Sequence, residues 1–448
     1  MKKKSLQGKK IGVIGLARSG AAAANLARRL GAEVLVSETR RRSEVNVNLK
    51  LLDKRIGLEF GGHSEKLLAS DVIIKSPGVR GDIPVIIKAK TKNIPIIGEI
   101  EFALQFIDCG RLTAITGTNG KTTTTTLVGK IFKAAGRKTV VGGNIGNPPA
   151  AAVRHIDKTT ELVLEVSSYQ LEDSEKIKPR ISAILNITPD HLEHHRTMKN
   201  YIRAKSLIFK NQGPGDVCVL NYDDPIVKGL AARCRAKTIF FSRKRKLRRG
   251  VYFSGGRIIS SRGNERVCID VCLKIPGPHN IENALAATAI ALAAKVRPSV
   301  IENVLNAFRG VEHRIEYCGT KRGVKYFNDS KATNVDSTRV ALESFSSGVW
   351  LILGGQDKGA PYAPLRGLII KKVKGILLIG EASGKIKIEL SGSAKFYDCK
   401  TLPAALKRAA GLARSGDTVL LSPACASFDQ FKDYEDRGRR FKALVKKL

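Results

Sequence analysis

Short apolar runs alternate with longer segments of helical periodicity along nearly the whole chain, the pattern of an open, mostly parallel sheet flanked by helices. The first run, Lys10 to Ile14, is followed by Gly15 and Gly20, an alanine-rich helical stretch to Leu30, and a second run from Glu33 to Ser37 that closes on Glu38. This is a βαβ opening, and an acidic residue at the end of its second strand is where a ribose hydroxyl would be held. The glycine spacing is not that of a dinucleotide fingerprint, so the signal is weak by itself. Strand-and-turn signals recur at Val72 to Lys75 before Pro77-Gly78, and at Pro95 to Ile97 before Gly98. Leu112 to Thr116 leads through a glycine-rich turn into a helical pattern over Thr123 to Ala135. Leu162 to Val166 and Ile181 to Ile187 read as buried strands, Thr238 to Phe241 and Val251 to Phe253 as shorter ones, and Ile281 to Lys295 as a helix. The alternation restarts with strands at Lys325 to Asn328, Val349 to Leu353, Gly375 to Ile379 and Thr418 to Leu421. A chain of 448 residues exceeds one core. Three α/β segments are expected, over residues 1–110, 111–312 and 313–448.

Composition narrows the function classes. The longest apolar stretch, near Ala284 to Ala294, falls short of the roughly 20 residues a bilayer needs, so no membrane insertion is expected. Lys2 to Lys4 ahead of Ile11 to Ala17 imitates a signal peptide, but two glycines and Arg18 interrupt the run, which reads better as a first strand. Eight cysteines without a C-x-x-C pair suggest a reduced, cytoplasmic chain, in which Cys268 and Cys272 would share one strand face. The net charge of +38 favours anionic partners. Its sharpest run, Arg243 to Arg249, has no interleaved aromatics and lies between two strand signals. It reads as a solvated loop, and no nucleic acid is expected.

The chemistry concentrates in Gly117-Thr118-Asn119-Gly120-Lys121-Thr122, between a strand and a helix. Glycines in such a turn let backbone N–H groups approach phosphate oxygens, the helix dipole favours the anion, the lysine neutralises it and the threonine hydroxyl reaches Mg²⁺. The strict spacing would put a first glycine where Ile115 stands, so the loop is a shortened variant. ATP is the expected nucleotide. Glu165 interrupts a buried-strand run, a costly place for a carboxylate unless it is paired or binds a metal. The run Ile181 to Ile187 ends at Thr188-Pro189-Asp190-His191, at the sheet edge where open α/β folds hold their ligands. From charge alone Lys205 is an ordinary solvated helix lysine, His194 and His195 are surface residues, and Asn280 is a helix cap.

Several strings taken together resemble the ATP-dependent Mur ligases: the loop Gly117 to Thr122, Leu164 to Leu171, Asp190-His191, Gly277 to Ala284 and His313 to Glu316. Asn328 to Asn334 and Ser422 to Phe431 look like the D-glutamate-adding branch. The resemblance runs from about Lys10 to the C-terminus. It implies a UDP-binding Rossmann-like domain, a central P-loop-type ATPase domain and a Rossmann-like C-terminal domain. The implied reaction phosphorylates the carboxylate of UDP-N-acetylmuramoyl-L-alanine with ATP and lets the amine of D-glutamate attack the acyl phosphate, in peptidoglycan precursor synthesis by a monomer.

By the same resemblance, Gly117, Thr118, Asn119, Gly120, Lys121, Thr122 and Thr123 hold the phosphates. Asn283 contacts adenine, and Arg314 and Asp329 reach the phosphates and ribose. Thr122, Glu165, His191 and Lys205 would hold Mg²⁺, Lys205 as a carbamate. Lys331 lies near the nucleotide, Thr333, Lys358, Ser427 and Tyr434 meet D-glutamate, and Arg18, Ser19, Thr39, Arg40, Gly78 and Asn144 form the nucleotide-sugar end. A folate-type polyglutamate ligase or an L-glutamate-adding relative would share the loop. The nucleotide-binding first segment speaks against the former, while glutamate stereochemistry is not legible in the residues. A basic nucleic-acid-binding ATPase would leave Glu165, His191 and the Asp329 to Asn334 string without a shared purpose.

Overall fold

The computed structural model describes residues 5–45, 49–275, 277–357 and 359–448. The chain forms two compact units, one running through Val271 and taking in Glu282–Leu305, the other comprising Cys272–Ile281 and Asn306–Leu448.

The first unit carries two sheets. Strands β1 (Lys10–Ile14), β2 (Glu33–Glu38), β3 (Gly57–Phe60), β4 (Val72–Lys75) and β5 (Ile96–Gly98) pair in parallel in the order 3-2-1-4-5, the doubly wound arrangement expected from the opening βαβ pattern. The helix Arg18–Arg29 buries its alanine stripe, Ala21, Ala23, Ala24 and Ala27, against this sheet's core. The second sheet has nine strands. In chain order these are β6 (Arg111–Thr116), β7 (Thr139–Gly143), β8 (Glu161–Glu165), β9 (Ile181–Ile184), β10 (Val217–Asn221), β11 (Lys237–Ser242), β12 (Arg249–Ser254), β13 (Arg257–Arg262) and β14 (Glu265–Asp270). Their spatial order is 14-13-12-11-10-9-6-8-7. The strands from β7 to β12 run parallel, while β13 and β14 add an antiparallel extension.

A polar seam joins the two sheets. Glu99 accepts from the backbone N–H of Ala150 at 2.7 Å and Glu101 from that of Lys176 at 2.9 Å. Lys75 pairs with Asp173 at 2.7 Å, and the Gly98 N–H donates to the Asp173 carbonyl at 2.7 Å. Glu99 is almost wholly buried, and desolvation pushes its carboxyl up to about 7.

The second unit contains β15 (Glu316–Lys321), β16 (Val324–Asn328), β17 (Val349–Gly354), β18 (Val373–Ile379), β19 (Lys395–Lys400) and β20 (Thr418–Leu421), ordered 15-16-20-17-18-19. Only the β15–β16 edge is antiparallel.

The basic run Arg243 to Arg249 forms the loop and strand start between β11 and β12, as its polarity suggests, and Arg243 is tied to Glu282 at 3.0 Å. The Cys268 and Cys272 expectation fails, because β14 ends at Asp270 and leaves Cys272 outside the strand. The helix expected from Ile281 begins earlier, at Pro278, so Asn280 lies inside its first turn and is not its cap. Among the described residues no helix is long and apolar enough to cross a membrane.

Candidate active site

The glycine-rich turn follows β6 and opens the helix Lys121–Ala134, two residues earlier than the periodicity suggested. Gly120 sits at φ 82°, in the left-handed region, and a Cβ there would strike Oδ1 of Asn283. Glycine is therefore required twice over at this position. The turn is held from the side by the segment after β9. Asn186 accepts from the Asn119 N–H at 2.8 Å through its side chain and from the Thr118 N–H at 2.9 Å through its carbonyl. Thr118 Oγ1 accepts from the Thr188 N–H at 3.0 Å and lies 3.1 Å from the Tyr201 hydroxyl. Asn186 is a polar residue inside the apolar run Ile181 to Ile187, and an amide there is the sequence signal for this bracing role.

Two lysines converge on one carbonyl of the turn. Lys121 Nζ donates to Gly117 O at 2.9 Å and Thr118 O at 2.7 Å, folded back onto its own loop. Lys205 Nζ, on the helix Met198–Ser206, donates to the same Gly117 O at 2.9 Å. Lys205 is 1% exposed, which overturns its reading as a solvated helix lysine. Burial, reinforced by the Lys121 charge, holds its amine well below the ordinary lysine range, although Asp190 and Glu165 pull the other way. The Tyr201 ring lies 4.5 Å from this amine.

Glu165 ends β8, beside β6 in the sheet, and is 1% exposed. Its Oε1 accepts from Asn144 at 2.8 Å, while Oε2 is buried without a hydrogen-bond partner. An orphaned buried carboxylate oxygen is what a divalent cation would satisfy, so this position fits Mg²⁺. His191 is half-buried at φ 54° and starts the short helix Leu192–His195, its ring 5.1 Å from that of Tyr169. Thr122 and Thr123 are buried in the first turn after the loop, and Thr124 Oγ1 donates to Asn283 Oδ1 at 3.3 Å. His195 is 3% exposed, so it is no surface residue, and His194 is half-buried.

At the nucleotide-sugar end, Arg18, Thr39, Arg40, Gly78 and Asn144 are exposed and Ser19 is half-buried. Glu38 is already engaged. It accepts from the Leu16 N–H at 2.7 Å and from the Arg40 guanidinium at 2.9 Å, and these bonds outweigh its burial and hold the carboxylate down at about 2. The acid expected to meet a ribose thus braces the β1 turn instead.

Within the second unit, Asp329 follows β16, accepts from the Ile315 N–H at 3.2 Å and the Ser422 hydroxyl at 2.7 Å, and is pushed by burial up to about 7. Arg314 has a buried Nε without a hydrogen-bond partner. Lys331 Nζ lies 5.8 Å from the Tyr434 ring, and Ser427 is buried. Thr333 is half-buried. Arg437, which sequence reading missed, is fully buried and donates to Ser330 Oγ at 2.9 Å and to the Cys425 and Ala426 carbonyls at 3.2 Å. It ties the Asn328 to Asn334 and Ser422 to Phe431 strings into one surface. Nothing in the sequence separates it from the other arginines of its helix. Lys358 lies outside the described residues.

A glycine-rich turn between a strand and a helix at the carboxyl edge of a mostly parallel sheet defines a P-loop-type α/β protein. The chain belongs to the Mur ligase family: the MurD-like N-terminal domain matches residues 9–98, the Mur ligase middle domain 115–291, and the glutamate ligase domain 313–425. It is 45% identical to the UDP-N-acetylmuramoylalanine–D-glutamate ligase of Koribacter versatilis, covering 99% of this chain and 98% of that one. It is also 45% identical to the ligase of the same name from Elusimicrobium minutum, over 100% of both. The fold resembles that of UDP-N-acetylmuramate-alanine ligase MurC from Thermotoga maritima, with a TM-score of 0.62 at 21% identity, over 98% of this chain and 99% of that one.

Proposed function

We propose that this protein is the ADP-forming ligase that joins D-glutamate to UDP-N-acetylmuramoyl-L-alanine in cytoplasmic peptidoglycan precursor synthesis. The observation that carries this reading is similarity, over the whole chain, to ligases named for that reaction. The functional division is at 110 and 312, into nucleotide-sugar, ATP and amino-acid parts.

A carboxylate does not react with an amine until it carries a leaving group, so the γ-phosphoryl group of ATP must first reach it. Two anions then meet, and positive charge is the main catalytic requirement. Lys121 supplies it once its Nζ leaves the Gly117 and Thr118 carbonyls for the β- and γ-phosphates. The backbone N–H groups of Gly117 to Thr123 cradle the same phosphates, Asn283 meets adenine, and Arg314 and Asp329 serve the phosphates and ribose. Thr122 would hold one Mg²⁺ beside the β- and γ-phosphates, and Glu165 and His191, with a modified Lys205, would hold a second that neutralises charge where the γ-phosphate and substrate carboxylate meet.

Lys205 serves as a carbamate in this reading. Its neutral amine attacks CO₂, an N–C bond forms as one C–O π bond opens onto oxygen, one proton leaves the nitrogen, and a neutral amine becomes an anionic carbamate. The reaction needs a neutral amine, and the burial of Lys205 shifts its amine toward that state. Lys331, Thr333, Lys358, Ser427 and Tyr434 orient D-glutamate, and Arg18, Ser19, Thr39, Arg40, Gly78 and Asn144 the nucleotide sugar.

The test is ADP release with UDP-N-acetylmuramoyl-L-alanine and Mg²⁺ present. D-glutamate should support turnover and L-glutamate should not. Equal turnover with both, or hydrolysis stimulated by DNA instead, would overturn the assignment.

A further inference from the structure

Among the described residues, one group of three metal-ligating side chains stands apart from the phosphate-site residues: Glu172, His194 and His195, whose ligand atoms all lie within 4.8 Å of one another. We propose that these three residues form a binding site for a divalent transition-metal ion of the zinc type.

The spacing fits. Zinc bonds of about 2.0–2.1 Å in a tetrahedron place neighbouring ligand atoms roughly 3.3 Å apart. Here His195 Nδ1 is 3.3 Å from Glu172 Oε1, His194 Nε2 is hydrogen-bonded to Glu172 Oε2 at 2.9 Å, and with all three ligand atoms within 4.8 Å of one another an ion could replace that hydrogen bond after small side-chain rotations. The strongest single observation is His195. It is 3% exposed, and its buried Nδ1 faces Glu172 Oε1 at 3.3 Å as an ion pair without a hydrogen bond of good geometry. Its other nitrogen, Nε2, lies 2.9 Å from Ser168 Oγ. An outer partner on one ring nitrogen is what leaves the second oriented toward a metal. The Tyr169 ring packs against both imidazoles, with centroids 4.4 Å and 5.5 Å away, and fixes their planes.

The donor set also sorts metals. Two imidazoles and one carboxylate suit zinc and its neighbours, whereas Mg²⁺ prefers oxygen ligands and finds only one carboxylate here, so the ion serving ATP would compete poorly for this position. A bound ion would bridge the helix Ser168–Glu172 to the turn Leu192–His195, which begins at His191. Its occupancy therefore sets how firmly His191 is held.

The experiment is a calorimetric Zn²⁺ titration of the full-length protein with the exposed thiols Cys268 and Cys272 alkylated. It compares wild type with His194→Ala and Glu172→Gln, both partly exposed side chains, with circular dichroism as the check on folding. One ion per chain is expected, weakened by at least about tenfold in either variant, the scale already reached when an outer-sphere partner is removed. Co²⁺ should give the visible bands of a tetrahedral nitrogen and oxygen centre in wild type and lose them in His194→Ala. Absence of a bound ion in wild type overturns the proposal. So does an ion held equally by both variants, which would place it on Glu165 and His191 or on thiols.

Discussion

Lys205→Ala separates two opposite chemical roles for one side chain. The structural cost is modest. The Gly117 carbonyl keeps its hydrogen bond from Lys121 when the Lys205 donor disappears. What is lost is a buried aliphatic stem, at about 2 kcal/mol, the lower end for truncating a long core side chain, because removing a desolvated amine offsets part of the cavity. The variant should therefore fold, with a small shift in its denaturation midpoint. Turnover should fall far more, by roughly 10²- to 10³-fold, the scale for losing a preorganised electrostatic group. ADP release in the presence of both substrates is the assay. Acetate should partly restore it, since a small carboxylate can occupy the vacated volume and replace the anion of a carbamate. Depleting CO₂ should lower wild-type turnover, and bicarbonate should return it. A lysine acting as a cation makes the reverse prediction, with rescue by small amines and none by acetate. That result, or full activity of the variant, refutes the carbamate argument.

Lys121→Ala should lower kcat by roughly 10²-fold or more while leaving the fold intact, because its hydrogen bonds to Gly117 and Thr118 lie within the loop; near-normal ligation would show that the phosphates bind elsewhere. Glu99→Gln should flatten the pH dependence of stability. With its carboxyl raised to about 7, the folded protein holds a proton that the unfolded chain releases above about 4.5, so stability falls as pH rises between these values, by up to about 3 kcal/mol. Urea denaturation at several pH values from 5 to 8 measures it, and an unchanged slope in the variant would show that Glu99 is not the group responsible.

The sheets were legible at most strands buried on both faces, although β10, buried along nearly its whole length, was missed. β1, β6, β8, β17 and β18 are near-continuous apolar runs, and periodicity finds them. β13 and β19 were not found, and β14 was placed too far along, because exposed positions leave them polar and only pairing with a neighbour makes them strands. The glycine-rich turn after β6 was readable because a rare conformation demands glycine at a fixed place beside a lysine. Lys205, His195 and Arg437 were not. Their burial comes from long-range packing, and a charged residue in a helix looks the same in sequence whether its side chain meets water or a carbonyl.

The seam between the first two sheets has a consequence for how the chain comes apart. Its donors and acceptors are divided between the two sides, Glu99 and Glu101 accepting across it in one direction and Asp173 in the other, so separating them would strand several buried polar groups at about 1–3 kcal/mol each. The functional boundary proposed at residue 110 is therefore not a folding boundary. A fragment ending there would lack the N–H groups that satisfy Glu99 and Glu101, and the amides of Gly98, Ala150 and Lys176 should exchange with solvent together, when the whole first unit opens.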